Sequence, residues 1–206
     1  MTTLKRTLAA AALATALAGT AQAALVEVTS KPVATGAMTV VFAFVEAADR
    51  STLQWTQSGP PAATLITNNG AGASALGTTV AGFGAAGVVD FILDNTSQGY
   101  SFTAGVRDLP NPPGDGLYHA KTSANFADFG VGALSAAAST AIATARTNTG
   151  QQGIFIGFED RRGGDYDYND LIYWFSSVRV VDAPAPAALG LFGLGLLGLG
   201  LMRRRA

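Results

Sequence analysis

The sequence predicts a mainly β protein: a single sandwich or jelly-roll-like domain over residues 24–182, with a segment of another kind at each end. Three observations carry this expectation. Short runs rich in β-branched and aromatic residues recur along the chain, several of them alternating apolar with polar. Clusters of Gly, Pro, Asn and Ser separate the runs at the spacing of a sandwich or jelly roll. A single stretch between the two ends, Gly132 to Arg146, is Ala-rich with helical propensity, and a short helix is expected there although its Ser and Thr residues weaken it.

Leu25 to Thr29 alternates and reads as a strand. Met38 to Ala47 (MTVVFAFVEA) is a nearly unbroken apolar run, the pattern of a buried strand. Thr52 to Thr56 alternates again and stops at Ser58-Gly59-Pro60-Pro61. Ala63 to Thr67 is a short run closed by the turn cluster Asn68-Asn69-Gly70-Ala71-Gly72. Val88 to Leu93 and Tyr100 to Ala104 are two further strands, split by Asp94-Asn95 and Gln98-Gly99. Leu109 to Gly116 holds Pro110, Pro112 and Pro113 and can only be a surface loop. Leu117 to Lys121 is a possible strand, and Ile154 to Phe158 and Leu171 to Phe175 are the last two.

Between these last strands lies the most informative stretch, Gly153 to Phe175 (GIFIGFEDRRGGDYDYNDLIYWF). The first run ends in Glu159-Asp160, a turn at Gly163-Gly164 follows, and then Asp165, Asp167, Asn169 and Asp170 lead into the second run. Carboxylates at this density repel one another unless a cation neutralises them, and hard oxygen donors suit calcium better than a soft metal. Glu159, Asp160, Asp165, Asp167, Asn169 and Asp170 are therefore the expected metal ligands. Asp165-x-Asp167-x-Asn169 matches the first half of an EF-hand loop, but Asp170 stands where Gly is needed, Ser176 where Glu is needed, and the flanks are strands. The competing reading is a solvated turn with Asp and Asn chosen for their backbone preferences.

The two ends read differently from the middle. Residues 1–23 have the form of a secretory signal peptide: Lys5 and Arg6, an apolar core from Leu8 to Leu17, and a small-x-small site at Ala21-Gln22-Ala23. At the other end, residues 183–206 comprise a linker with Pro184 and Pro186, an apolar Gly/Leu-rich run from Ala187 to Met202, and Arg203-Arg204-Arg205. The run is slightly short for a membrane span, and the arginines belong on the cytoplasmic side. Leaving out both ends, eight basic residues face fourteen acidic ones, so the middle carries −6. That balance argues against nucleic acid, which needs a basic footprint. The chain has no cysteine, hence no disulfide, thiolate metal site or Cys nucleophile.

The C-terminal order of Pro-containing motif, short apolar helix and arginine cluster resembles the PEP-CTERM sorting signals of bacterial surface proteins, with Ala185 between the prolines. The resemblance implies processing by an exosortase-type membrane protease recognising Pro184, Pro186 and Arg203 to Arg205, and a transient anchor in the inner membrane. Gly157-Phe158-Glu159-Asp160, Gly163-Gly164-Asp165 and Asp167-Tyr168-Asn169-Asp170 resemble the GFED…GGD.DYND signature of a family of uncharacterised bacterial surface domains. That likeness implies a β-rich, calcium-associated extracellular domain with no established activity.

Two function classes follow. The first is a non-catalytic, calcium-binding surface or matrix protein, exported, with an extracellular polysaccharide as a possible partner. The second is a secreted glycan-binding or glycan-hydrolysing protein using paired carboxylates such as Glu159 and Asp165. Other motifs carry little. Gly82 to Gly87 fits G-x-G-x-x-G but precedes a strand pattern, and Gly193, Gly195 and Gly198 fall in the apolar tail, so nucleotide binding is not expected. His119 is the sole histidine and has no G-x-S-x-G elbow to serve.

Overall fold

The computed structural model describes residues 25–57, 59, 62–69, 76–109 and 114–180. The signal-peptide and sorting-segment expectations, residues 1–23 and 183–206, lie outside the described residues. Among the described residues, no helix is long and apolar enough to cross a membrane.

The chain is mainly β, as the alternation predicted. The described strands are β1 (Val26–Glu27), β2 (Val33–Ala34), β3 (Met38–Val45), β4 (Arg50–Thr56), β5 (Ala63–Asn69), β6 (Thr79–Phe83) and β7 (Gly87–Val88). They continue with β8 (Asp90–Asn95), β9 (Tyr100–Thr103), β10 (Ala120–Ser123), β11 (Ile154–Phe158), β12 (Leu171–Phe175) and β13 (Val178–Arg179). One helix, α1 (Ala136–Thr149), and a 3-10 turn at Phe126–Phe129 lie between β10 and β11. All pairings are antiparallel. A six-stranded sheet runs β1-β10-β11-β12-β3-β6, a four-stranded sheet β5-β4-β8-β9, and a small one β13-β2-β7.

The six-stranded sheet is buried on both faces at its centre, which is why β3 and β12 read as unbroken apolar runs rather than as alternation. Val40, Phe42, Ile156, Phe158, Leu171, Tyr173 and Phe175 on one face share a core with Leu53, Ile66, Phe91 and Leu93 of the four-stranded sheet. Val41, Ala43, Phe155, Ile172 and Trp174 on the other face pack under Ile142 and Ala145 of α1 and under Phe126 and Phe129. The helix starts later than the composition indicated because Ser135 caps it: its hydroxyl accepts from the Ala138 N–H, and Gly150 in the left-handed region (φ 66°) closes the other end.

Most strand boundaries move by a residue or more, and for three of them the packing shows why. β5 runs through Asn68 and Asn69, because Asn68 is buried and its Nδ2 donates to the Asp49 carbonyl. β8 runs to Asn95, whose buried amide faces both ways: its Nδ2 donates to Asp49 Oδ2 and the Asp160 carbonyl, while its Oδ1 accepts from the Ser97 and Gln98 N–H groups of the turn that follows. The strand expected at Leu117 to Lys121 sits instead at Ala120–Ser123, since Leu117 and Tyr118 belong to a separate pairing with residues 107 and 108. Gly82 to Gly87 links β6 to β7 without a helix, so it has no strand–turn–helix geometry for phosphate.

Candidate metal centre in the β11–β12 loop

β11 and β12 form a hairpin with Phe158 opposite Leu171, and residues 159–170 are its loop. The strands fix both ends, so the acidic residues are brought together by the hairpin itself. They are not in one extended row, as alternation would give. Tyr166 (φ 56°) and Tyr168 (φ 64°) both sit in the left-handed region, which costs a non-glycine residue on the order of 1–3 kcal/mol. Their hydroxyls hold them there. The Tyr166 Oη accepts from the Gly163 N–H (2.8 Å) and donates to Asp115 Oδ2 (2.9 Å), and the Tyr168 Oη donates to the Tyr118 carbonyl (3.1 Å).

Glu159 and Asp160 are buried, at 2% and 1% exposure, whereas Asp165 is exposed. With Asp170, Glu46, Arg161, Gly163 and Gly164 they line a cleft of about 590 Å³. Glu159, Asp165 and Asp167 each offer an oxygen within 4.8 Å of the others, the spacing of a shared cation. Glu159 Oε2 and Asp160 Oδ2 are buried without a hydrogen-bond partner. An orphaned buried carboxylate oxygen is costly unless it is protonated or paired with a cation. Both groups register this. Burial, and then the charges of Asp170 and Asp165, push Glu159 up to about 8. Burial, then Asp170 and Asp49, push Asp160 up to about 7, against the pull of Arg161. The donor set is all oxygen and fits a hard divalent cation.

The remaining expected ligands divide. Asp170 belongs to the same cleft, but its Oδ2 accepts the Asp160 N–H (2.9 Å). Asn169 points its amide nitrogens at Asp167: its backbone N–H donates to Asp167 Oδ1 (3.1 Å) and its Nδ2 to Oδ2. Gly164 sits against the Glu159 side chain. A Cβ there would collide with the Glu159 carboxylate, which lies directly against its Cα.

Sequence reasoning missed the neighbours that come from distant loops. Asp49, just ahead of β4, is buried; the Arg161 guanidinium leads in holding its carboxyl below the ordinary range, with Asn95 adding a second hydrogen bond. Asp115 and His119 flank the loop on its other side. His119 is buried, stacked on Phe102 with ring centroids 3.8 Å apart, and its Nε2 lies 3.0 Å from Asp115 Oδ2. Burial opposes the ionised form of Asp115, but the Leu117 N–H, Tyr166 and His119 more than compensate and hold it low. Asp108, Asp115 and His119 also have metal-like spacing, yet Arg162 already grips Asp108 and the other two grip each other. That group is a structural clasp tying Asp108 and Asp115 to the acidic loop; the middle of the expected Pro-rich loop, residues 110–113, lies outside the described residues. No linear motif joins residues so far apart in sequence.

Fold and site thus define an antiparallel β protein with an oxygen-lined acidic cleft at one hairpin. No family model, no curated protein and no solved structure matches the chain.

Proposed function

We propose that the protein is an exported, calcium-binding, non-catalytic surface or matrix component, built on a sandwich or jelly-roll-like domain. The observation that carries the reading is the pair of buried carboxylates, Glu159 and Asp160, whose unpartnered oxygens belong to a cleft that Asp165 and Asp170 also line. Calcium is seated by Glu159, Asp165 and Asp167, with Asp160 and Asp170 behind them and Asn169 bracing Asp167. Titration calorimetry of the full chain is expected to give one calcium per chain, with magnesium weaker because it demands tighter octahedral geometry. Absence of calcium binding defeats the reading.

A hydrolytic reading takes Glu159 as a raised-pKa acid facing Asp165. Among the described residues, those lining the cleft include no aromatic side chain against which a sugar ring could lie, and this favours the non-catalytic reading. Hydrolysis of a polysaccharide panel by the purified chain, lost in Glu159→Gln, would reverse that preference.

The sorting half of the reading rests on Pro184, Pro186, the apolar run and Arg203 to Arg205, with an exosortase-type protease as the processing partner and the cell surface as the destination. Replacing the three arginines by serine is expected to leave unprocessed or misplaced precursor. Mass spectrometry of surface material from the parent strain is expected to lack peptides from Leu189 to Ala206. Their abundant recovery would indicate a permanent anchor instead.

A further inference from the structure

Five large apolar side chains are exposed among the described residues. Three of them, Val106 (40%), Leu109 (67%) and Leu117 (43%), belong to the connection from β9 to β10. Its two ends run side by side: the Asp108 N–H donates to the Leu117 carbonyl (2.9 Å), and Arg107 pairs with Tyr118. Its base is fixed against the segment that enters β2, because Gly105 packs so closely on the Ser30–Lys31 backbone that a Cβ would overlap it. A fourth, Val88 (55%), stands in one cross-strand row with Val33 and Arg179 of the small sheet. That row faces outward, since the adjoining Ala34 and Val178 are buried. Charge follows the same division. The acids of the connection turn inward, Asp108 onto Arg162 and Asp115 onto His119 and Tyr166, while its one base, Arg107, is exposed, as is Arg179. This side is apolar and basic, whereas the acidic cleft lies at the other end of β12, five residues or about 15 Å away.

The chain leaves the fold on this same side. β13 is antiparallel to β2 with Arg179 opposite Val33, so its direction carries Val180, half-buried against the core, past Pro32 toward Lys31 and Gly105. Six residues, 181–186, separate Val180 from the apolar run that begins at Ala187. Seven Cα steps reach at most about 25 Å, so a run inserted in a bilayer holds this side close to the membrane surface. We propose that Val88, Val106, Leu109 and Leu117, with Arg107 and Arg179, form a lipid-docking face that lies on the anionic surface of the bilayer entered by residues 187–202. Apolar side chains at the headgroup boundary, with basic ones beside anionic lipid, are the chemistry of peripheral membrane contact. The inference rests on the membrane-anchor half of the reading above and is independent of calcium. It leaves the acidic cleft at the end of the domain away from the lipid.

The chain has no cysteine, so a single introduced one can be labelled with bimane. The positions are Leu109→Cys in the docking face and Ala48→Cys, an exposed residue at the acidic cleft. The full chain is reconstituted, without calcium, into vesicles of equal parts phosphatidylcholine and phosphatidylglycerol that carry a nitroxide lipid. Flotation with the vesicles reports the anchor, and quenching of the bimane reports lipid contact. The expected result is a chain that floats, with the label at position 109 quenched severalfold more than the label at position 48. Adding Val106→Ser and Leu117→Ser to the Leu109→Cys chain is expected to leave flotation unchanged and to remove most of that quenching. Equal quenching at the two positions, or quenching that survives the serine substitutions, means that the tether alone brings the domain to the surface. Either result overturns the docking face and keeps the anchor. A chain that does not float rejects the anchor and this inference with it.

Discussion

In chelator, the full chain is expected to melt several degrees lower at pH 9 than at pH 5. The cause is the buried pair. In the unfolded chain Glu159 and Asp160 titrate at ordinary carboxylate values, near 4.5 and 3.8; in the fold they are pushed up to about 8 and about 7. The folded state therefore holds these protons more tightly than the unfolded chain does. That contribution is fully present below about pH 4 and is lost as pH rises through about 7 to 8. Asp49 and Asp115 are held low and act in the opposite sense, but only at more acidic pH, outside the window compared. Each tenfold difference in proton affinity is worth about 1.4 kcal/mol, and about 1 kcal/mol moves the midpoint of a domain this size by about 2–4 °C. The two carboxyls titrate as a coupled unit, so the transition should be broad. Calcium is expected to reverse the trend: by pairing with the ionised forms it should raise the midpoint more at pH 9 than at pH 5. A midpoint in chelator that is flat between these pH values would mean that the pair is not held as the structure places it.

Gly157→Ala is expected to destabilise the protein by about 1–3 kcal/mol, the usual cost of forcing extra volume into a packed site. Gly157 is the penultimate residue of β11, just before the acidic loop: a Cβ would collide with the Tyr168 carbonyl on one side and the Phe129 ring on another. The Tyr168 backbone is already in the left-handed region and anchored through its hydroxyl to Tyr118, so it has little room to retreat. The variant should show a lower denaturant midpoint at unchanged slope, together with weakened calcium binding, because displacing Tyr168 displaces Asp167 beside it. Gly132→Ala is the control. A Cβ there meets nothing within 4 Å, and its effect should stay within about 0.5 kcal/mol.

The central strands were legible in the sequence because burial on both faces leaves a compositional trace: MTVVFAFV and LIYWF admit no solvated side. The hairpin that carries the site was legible for the same reason, since its acidic loop is bounded by two apolar runs. β6 was not, because TVAGF is short, largely exposed and Gly-broken, and it is held as an edge by β3 rather than by its own pattern. Within the site, the six expected residues lie in one loop, but their roles are set by geometry that spacing does not encode. Two left-handed tyrosines bend the segment, so Asp165 and Asp167 turn toward Glu159 while Asn169 turns toward Asp167. Asp49 carried no signal, since an isolated Asp before a strand looks like any turn residue until β4 is laid beside β8 and Asn95. Asp115 likewise reads as part of an isolated Pro-rich loop, yet Tyr166 and His119 join it to the site.

The claim on which the account depends is that a cation completes the Glu159–Asp165–Asp167 cluster. A calorimetric melt of the full chain at pH 8, in chelator and then in millimolar calcium, tests it most directly, with Asp165→Ala and Gly164→Ala alongside. An ion bound only by the fold at a hundredfold excess over its Kd adds about 2.7 kcal/mol, and extracellular calcium modules commonly bind at about 10⁻⁴ to 10⁻³ M. The parent should therefore melt several degrees higher in calcium. Asp165→Ala should lose most of that rise through a missing ligand, and Gly164→Ala should lose it because the new methyl drives the Glu159 carboxylate from its place. Coincident parent melts in chelator and calcium, or an Asp165→Ala chain that responds like the parent, would contradict the account and leave the hairpin loop an acidic turn.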